Sequence, residues 1–305
     1  MKRSPLKENR MHKNKTLKGV FAPVTTPFDE NGDVNYEALR ENILKYADAG
    51  LKGYLVLGSN GENKSLTKQE KLQVAETILK TRMETQTIMV TSIFESTRET
   101  IEFAHSAAEL GADYITLLPP SYFKKNMTDK ALLKYFTDVA SSVDVPCLLY
   151  NAPQFAGGLS LSTTLIKECA AHPNIAGIKD SSSGNIEKIL FSVPEGFAVL
   201  SGSANTLLPA LFAGAAGGII ALANCLPEVA AELYEYVVAD AWDKAVALNN
   251  RMVAANIGIS GAYGVAGIKS AMDYCGYHGG KPRLPLLEIS DKDKALIEDH
   301  IKPLI

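Results

Sequence analysis

Lys179 is the residue whose setting in the sequence points most directly to covalent chemistry. It follows the apolar run at residues 175–178 and precedes Asp180. An amine among apolar neighbours loses part of its hydration, which favours its neutral form, and a neutral amine can attack a ketone carbon to form an imine. A surface lysine beside Asp180 explains the same residues, so other parts of the sequence must decide between the two interpretations.

Two further motifs carry groups that such a reaction would use. Tyr150 ends another apolar run and offers a phenol as a proton carrier. The sequence Gly58-Ser59-Asn60-Gly61-Glu62, which we call the 58–62 turn, offers backbone N–H groups and small residues that could hold a carboxylate. A core tyrosine and an ordinary tight turn are the structural alternatives.

Glycines near the end of the apolar pattern have two interpretations as well. Gly202, Gly217 and Gly218 lie where barrels often bind phosphate, after the seventh and eighth strands. They would equally ease close packing of the backbone. The predictive value lies in the joint occurrence of all these motifs.

The elements that must position these groups are predicted from periodicity. Short apolar runs alternate with helical patterns along nearly the whole chain, which indicates repeated βα units. We predict eight strands, near residues 19–25, 53–57, 88–92, 114–118, 146–150, 175–179, 198–201 and 218–221. Eight such strands close a (β/α)8 TIM barrel of the α/β class, whose functional groups lie at the downstream strand ends. Lys179, Tyr150 and the 58–62 turn all fall at such ends.

The helix ends and the domain limits are also predicted. Residues 67–70 and 96–99 have the pattern of capping boxes, and Gly50 and Gly111 follow helical stretches as stops. Further helices are expected near residues 227–240, 242–256, 265–274 and 290–301. We therefore expect a disordered basic tail at 1–16, with a targeting segment as the alternative, a barrel at 17–225 and C-terminal helices packed on the barrel at 226–305.

Composition restricts the class of partner. The 305 residues are 46% hydrophobic and 21% charged, with a formal net charge of -3. This balance argues against nucleic acid and anionic membranes and favours a small-molecule ligand. The four cysteines and five histidines have no metal-ligand spacing, so we predict no metal, reduced thiols and a cytoplasmic location. No run reaches the ~20 apolar residues of a membrane span.

Four motifs stand at the predicted strand ends: the 58–62 turn, Tyr150-Asn151-Ala152-Pro153, Gly177-Ile178-Lys179-Asp180 and Ser201-Gly202-Ser203. Together they resemble the dihydrodipicolinate synthase and N-acetylneuraminate lyase superfamily, over about residues 17–303. The resemblance implies a (β/α)8 barrel with a C-terminal helical extension. It also implies a homotetramer built from tight dimers, and a lyase that acts on a small 2-oxo acid through a lysine imine without any cofactor.

The resemblance assigns catalytic roles to individual residues. Lys179 would form the Schiff base with the ketone of pyruvate or a related 2-oxo acid. Tyr150 would carry the proton of the aldol hydroxyl, and Ser59 would pass protons to it. Tyr122 resembles the tyrosine that some members lend to the site of the neighbouring subunit.

Other residues are assigned to substrate binding. Ser59 and Asn60 would hold the pyruvyl carboxylate, and the backbone of Ile220 would line the imine. Gly202, Ser203 and Phe155 are also expected to bind substrate, while the contacts of the far end of the substrate stay open.

The branches of the superfamily differ at two of these places. In the synthase branch the turn typically reads Gly-Thr-Thr-Gly-Glu, and an arginine that holds the carboxylate of aspartate semialdehyde stands where this chain has Phe155. A phenyl ring cannot replace that contact, worth about 2–3 kcal/mol. The turn looks more similar to 4-hydroxy-2-oxoglutarate aldolases and 2-keto-3-deoxy sugar acid aldolases, and residues 276–286 also look similar to the former. We therefore expect an aldolase, with dihydrodipicolinate synthase as the alternative.

Two hypotheses of other classes complete the set. A non-catalytic sensor would use the barrel mouth to bind a 2-oxo acid, but binding alone needs no nucleophile matched to a proton carrier. A phosphate-binding barrel isomerase would leave Lys179 unused. Loss of activity on replacing Lys179 separates the aldolase from the isomerase, and covalent trapping of pyruvate separates it from the sensor.

Overall fold

A computed structural model describes residues 15–182 and 184–305. Most of the predicted basic tail lies outside the described residues. Eight parallel strands form a closed barrel in chain order, with β1 paired to both β2 and β8. The strands are β1 (Gly19–Pro23), β2 (Gly53–Val56), β3 (Thr87–Ser92), β4 (Tyr114–Leu117), β5 (Cys147–Asn151), β6 (Ile175–Asp180), β7 (Ala198–Ser201) and β8 (Gly217–Ile219). The predicted (β/α)8 barrel is therefore confirmed, and each strand begins within two residues of its predicted start.

Helices connect the strands on the outside of the barrel. They are α1 (Tyr36–Lys45), α2 (Lys68–Thr81), α3 (Thr97–Leu110), α4 (Asp129–Ser142), α5 (Thr163–Ala170), α6 (Ile186–Leu190) and α7 (Ala204–Phe212). Thr67 and Glu70 form the predicted capping box reciprocally. At α3 the hydroxyl of Ser96 accepts from the N–H of Glu99, and Gly111 ends the helix in the left-handed region.

Apolar side chains fill the inside of the barrel in a cluster separate from the outer core. The cluster consists of Leu17, Phe21, Leu55, Met89, Tyr114, Leu148, Leu200 and Ile219. Strand alternation sends the neighbouring residues outward to pack on the helices. Gly53 shows how close the strands are, because a Cβ there would lie 1.9 Å from the carbonyl oxygen of Thr87. The inside of the barrel is thus a packed core.

Four more helices follow the barrel and form a C-terminal layer. They are α8 (Pro227–Val238), α9 (Trp242–Asn256), α10 (Ala262–Tyr274) and α11 (Asp291–Ile301). A π-helical turn, Ile257–Gly261, joins α9 to α10, and Gly264 interrupts α10 with φ 58°. The sequence predicted the four helices but not the π-helical turn. None of the helices in the described part of the chain is long and apolar enough to cross a membrane.

Candidate active site

Lys179 and Tyr150 lie side by side on neighbouring strands. The β5–β6 register pairs Tyr150 with Lys179, and both side chains point into the barrel mouth. The Nζ of Lys179 is 3.4 Å from the hydroxyl of Tyr150 and 4.4 Å from the centre of its ring. The two residues are only 3% and 1% exposed. A buried amine therefore stands within reach of a buried phenol, as a nucleophile and its proton carrier require.

Ser59 extends this pair to a chain of three polar groups. Its Oγ lies 3.3 Å from the hydroxyl of Tyr150, and either atom can donate. A proton could therefore move between Lys179, Tyr150 and Ser59 along side chains of the protein.

The 58–62 turn that carries Ser59 has an unusual backbone. Leu57 before it and Glu62 at its end both have positive φ values, 61° and 52°. The side-chain amide of Asn63 donates to the carbonyl of Leu57, and the hydroxyl of Thr26 donates to the carbonyl of Gly61. Non-glycine residues in this region are strained, and such strain persists only where surrounding contacts fix it.

A second set of polar side chains lies behind Tyr150 and Lys179, on the outward faces of β5 and β6. Asn151 donates to Oδ1 of Asp180 at 2.7 Å, and the hydroxyl of Ser182 donates to the same oxygen. Oδ2 of Asp180 has no hydrogen-bond partner among residues 15–182 and 184–305. Burial raises the pKa of Asp180, although the hydrogen bonds from Ser182 and Asn151 oppose the shift. Asn151 also accepts from the N–H of Leu161, which fixes the loop after β5.

A cavity of about 860 Å³ opens above Lys179. This is a usual size for a small-molecule site. Of the nine residues predicted to act in catalysis or substrate binding, seven line it: Ser59, Asn60, Tyr150, Phe155, Lys179, Gly202 and Ser203. The structure therefore brings these motifs from four strand ends, those of β2, β5, β6 and β7, into one place.

The other two of these nine residues do not line the cavity. Tyr122 is 80% exposed and packs edge-to-face on Phe123. Ile220 is fully buried in the outer core, while its neighbours Ile219 and Ala221 line the cavity. The roles predicted for Tyr122, in a neighbouring subunit, and for the backbone of Ile220 stay predictions.

One wall of the cavity was missed by the sequence analysis. Residues of the C-terminal layer form it, together with the start of α7: Asn205, Asn256, Ser260, Tyr263, Leu286, Leu287 and Ile289. The amide of Asn256 donates to Oδ1 of Asn205 at 2.9 Å and so ties the layer to the barrel. No periodicity or motif in the sequence places these residues at the cavity, because they meet it only through tertiary packing.

The closed barrel with its cavity at the downstream strand ends defines an enzyme of the (β/α)8-barrel class. A model of the dihydrodipicolinate synthetase family matches residues 16–304. The chain belongs to this family and is an enzyme of the aldolase and lyase type.

Individual relatives carry two different names. The chain is 32% identical to the probable mitochondrial 4-hydroxy-2-oxoglutarate aldolase of Emericella nidulans, over 92% of this chain and 93% of that protein. It is also 32% identical to the 4-hydroxy-tetrahydrodipicolinate synthase of Macrococcus caseolyticus, over 92% and 95%. Among solved structures it resembles YagE, a prophage protein of E. coli K12 solved in complex with pyruvate. That likeness has a TM-score of 0.88 and 27% identity, and it covers 94% of this chain and 98% of YagE.

Proposed function

We propose that the protein is a class I aldolase that cleaves or forms the bond between pyruvate and an aldehyde, with a 4-hydroxy-2-oxo acid as substrate. The contact between Lys179 and Tyr150, 3.4 Å from Nζ to the hydroxyl, carries the proposal. The substrate class includes 4-hydroxy-2-oxoglutarate and 2-keto-3-deoxy sugar acids.

The proposed reaction begins with attack of the Lys179 amine on the ketone carbon. Loss of water gives an iminium, which serves as the electron sink, so no cofactor is needed. Tyr150 takes the proton of the C4 hydroxyl as the bond between C3 and C4 breaks, and the aldehyde leaves. The remaining enamine is protonated at C3, and water hydrolyses the imine to pyruvate and the free amine.

The surrounding groups support binding of a 2-oxo acid. Ser59 and Asn60 lie in the 58–62 turn beside Tyr150 and would hold the carboxylate of the substrate. The cavity is also lined by the polar residues Gln154, Ser181, Asn205, Asn256 and Ser260, which carry hydroxyls and amides. These groups suit an oxygen-rich distal end. Gly202, Ser203 and Phe155 would contact the same end.

Assembly would complete this site. We propose a homotetramer of tight dimers, in which Tyr122 of a neighbouring copy enters the mouth and extends the proton chain from Tyr150. The exposure of Tyr122 and Phe123, 80% and 66%, supports a role between subunits.

The test is pyruvate release, followed by coupling to lactate dehydrogenase, from 4-hydroxy-2-oxoglutarate, several 2-keto-3-deoxy sugar acids and N-acetylneuraminate. Lys179→Ala should abolish release from whichever compound reacts. Lys71→Met is the matched control, because Lys71 is a second buried lysine outside the cavity. Unchanged turnover in Lys179→Ala would reject imine chemistry.

Dihydrodipicolinate synthase is the second candidate, supported by the relative in Macrococcus caseolyticus that is named 4-hydroxy-tetrahydrodipicolinate synthase. Condensation of pyruvate with aspartate semialdehyde, without release of pyruvate from any member of the panel, would favour it. Phe155 lines the cavity where the synthase branch has its arginine, and a phenyl ring cannot make that arginine's contact with the carboxylate of aspartate semialdehyde.

A further inference from the structure

The side chain of Glu62, at the end of the 58–62 turn, points away from solvent. It pairs with a buried charged residue that takes no part in the proposed reaction. Its carboxylate is 1% exposed and forms an ion pair with Lys269 of α10, whose side chain is fully buried, at 2.6 Å between Oε1 and Nζ. The two residues come from the second βα loop and from the C-terminal layer. The pair is therefore a direct connection between the proposed carboxylate-binding turn and the layer packed on the barrel.

Lys269 is itself fixed by three further contacts. Its Nζ donates to the carbonyl of Lys281 at 2.9 Å and lies 4.4 Å from the centre of the Phe28 ring. A Cβ on Gly279 would lie 1.9 Å from the carbonyl oxygen of Lys269, so the chain after α10 passes directly against this helix. Burial lowers the pKa of Lys269, and the charge of Glu62 opposes that shift.

The second carboxylate oxygen of Glu62 fixes the segment after α10. Oε2 accepts from the backbone N–H of Arg283 at 2.9 Å. The guanidinium of Arg283 pairs with Glu70 at 2.6 Å and donates to the carbonyls of Gly32 and Ser65. This segment continues to Leu286 and Leu287, which line the cavity.

A buried ion pair contributes little net stability, because desolvation of both charges offsets their attraction. Separating the two partners is nevertheless unfavourable, because each charge would then be buried and unpaired. The pair is therefore held in one geometry. Glu62 also occupies a left-handed backbone conformation that needs outside support. The pair therefore matches a positioning role better than a stabilising one.

We propose that Glu62 and Lys269 are positioning residues that hold the 58–62 turn in the shape with which Ser59 and Asn60 receive the carboxylate of the 2-oxo acid. The inference rests on the proposed function. Neither residue touches the reacting atoms. Their pair makes carboxylate binding depend on the C-terminal layer.

The experiment measures trapping of pyruvate on the protein by borohydride, read as mass gain against pyruvate concentration. Four variants are compared with the native chain: Glu62→Gln, Lys269→Met, the double variant, and Glu70→Gln as control. Glu70 belongs to the neighbouring, more exposed pair with Arg283. Melting temperature and circular dichroism are recorded for each.

In Glu62→Gln we expect the half-saturating pyruvate concentration to rise tenfold or more, with the yield at saturation within threefold of native. The double variant should recover melting temperature, because no unpaired buried charge remains, but should keep the tenfold defect in half-saturation. Glu70→Gln should lower the melting temperature with less than a twofold change in half-saturation.

Recovery of half-saturation together with melting temperature in the double variant would overturn the inference, since the pair would then act through stability alone. The double variant decides the question even if either single variant fails to fold. Absence of trapping in the native chain would reject the proposed function and this inference with it, whereas a shift confined to Glu70→Gln would reject the inference only.

Discussion

Asn151 and Asp180 share a 2.7 Å hydrogen bond on the outward faces of the two strands whose inward faces carry Tyr150 and Lys179. The strand register places the two polar pairs one residue apart, so the outer pair supports the geometry of the inner pair. Burial disfavours the charged form of Asp180 and so raises the pKa of this carboxyl.

Asp180→Asn tests the cost of that carboxylate. The raised pKa means that the ionised form opposes folding, so the native chain loses stability as pH rises through the pKa of folded Asp180. The stability of Asp180→Asn relative to the native chain should therefore increase from pH 4 to pH 7. Urea unfolding at several pH values measures the difference. A difference that stays constant across this range would contradict the assignment.

Tyr150→Phe separates imine formation from carbon–carbon bond cleavage. The ring remains beside Lys179, so borohydride should still trap pyruvate. Turnover of the aldol substrate should fall by about 10²–10⁴, the usual contribution of a general acid or base. Turnover is compared with trapping on the same samples. Equal loss of both activities would show that the phenol acts earlier, in imine formation.

Phe155→Arg tests substrate choice between the two named branches. Phe155 is 52% exposed at the cavity, so an arginine can replace it at little cost in stability. We expect condensation of pyruvate with aspartate semialdehyde to gain about tenfold in kcat/KM, because a partly exposed charge-assisted contact is worth about 1.4 kcal/mol. Phe155→Gln is the control for added polarity without charge. Equal gains in both variants would show that the charge is not responsible.

Lys71→Met should stabilise the protein at neutral pH. Lys71 is buried in α2, 4.6 Å from the centre of the Phe94 ring, and burial lowers its pKa to about 8. Below that pH the charged amine opposes folding, and the opposition disappears as pH rises from 8 toward the ordinary value of 10.5.

At pH 7 we expect the free energy of unfolding to rise by about 2 kcal/mol. This gain is the cost of burying the charged amine, which Lys71→Met removes, less about 1 kcal/mol of cation–π attraction that is lost with the charge. Chemical denaturation at pH 7 and pH 9.5 measures it. The gain should be smaller at pH 9.5, and a larger gain there would reverse the assigned sign.

The barrel and the inner part of the site could be predicted because both depend on local sequence. Each strand is a short apolar run, and Lys179 and Tyr150 stand at the ends of two of them. Eight such strands predict a closed barrel, in which the downstream strand ends meet at one mouth. Glu62 and Lys269 could not be paired in this way, because their contact depends on how α10 packs against the second βα loop. The π-helical turn Ile257–Gly261 has the same origin. Gly258 there lies so close to the ring of His300 in α11 that a Cβ would clash, a contact that no periodicity records.

The wall formed by Leu286, Leu287 and Ile289 has a consequence for how this enzyme can diversify. The proposed nucleophile and proton carrier are fixed on strands, whereas this wall belongs to a segment that follows α10 and is partly open, with Leu287 76% exposed. Mutations in residues 284–289 can therefore alter which aldehyde of the proposed reaction fits without disturbing Lys179 or Tyr150. A directed-evolution library restricted to those six positions would explore new acceptors on an unchanged catalytic scaffold.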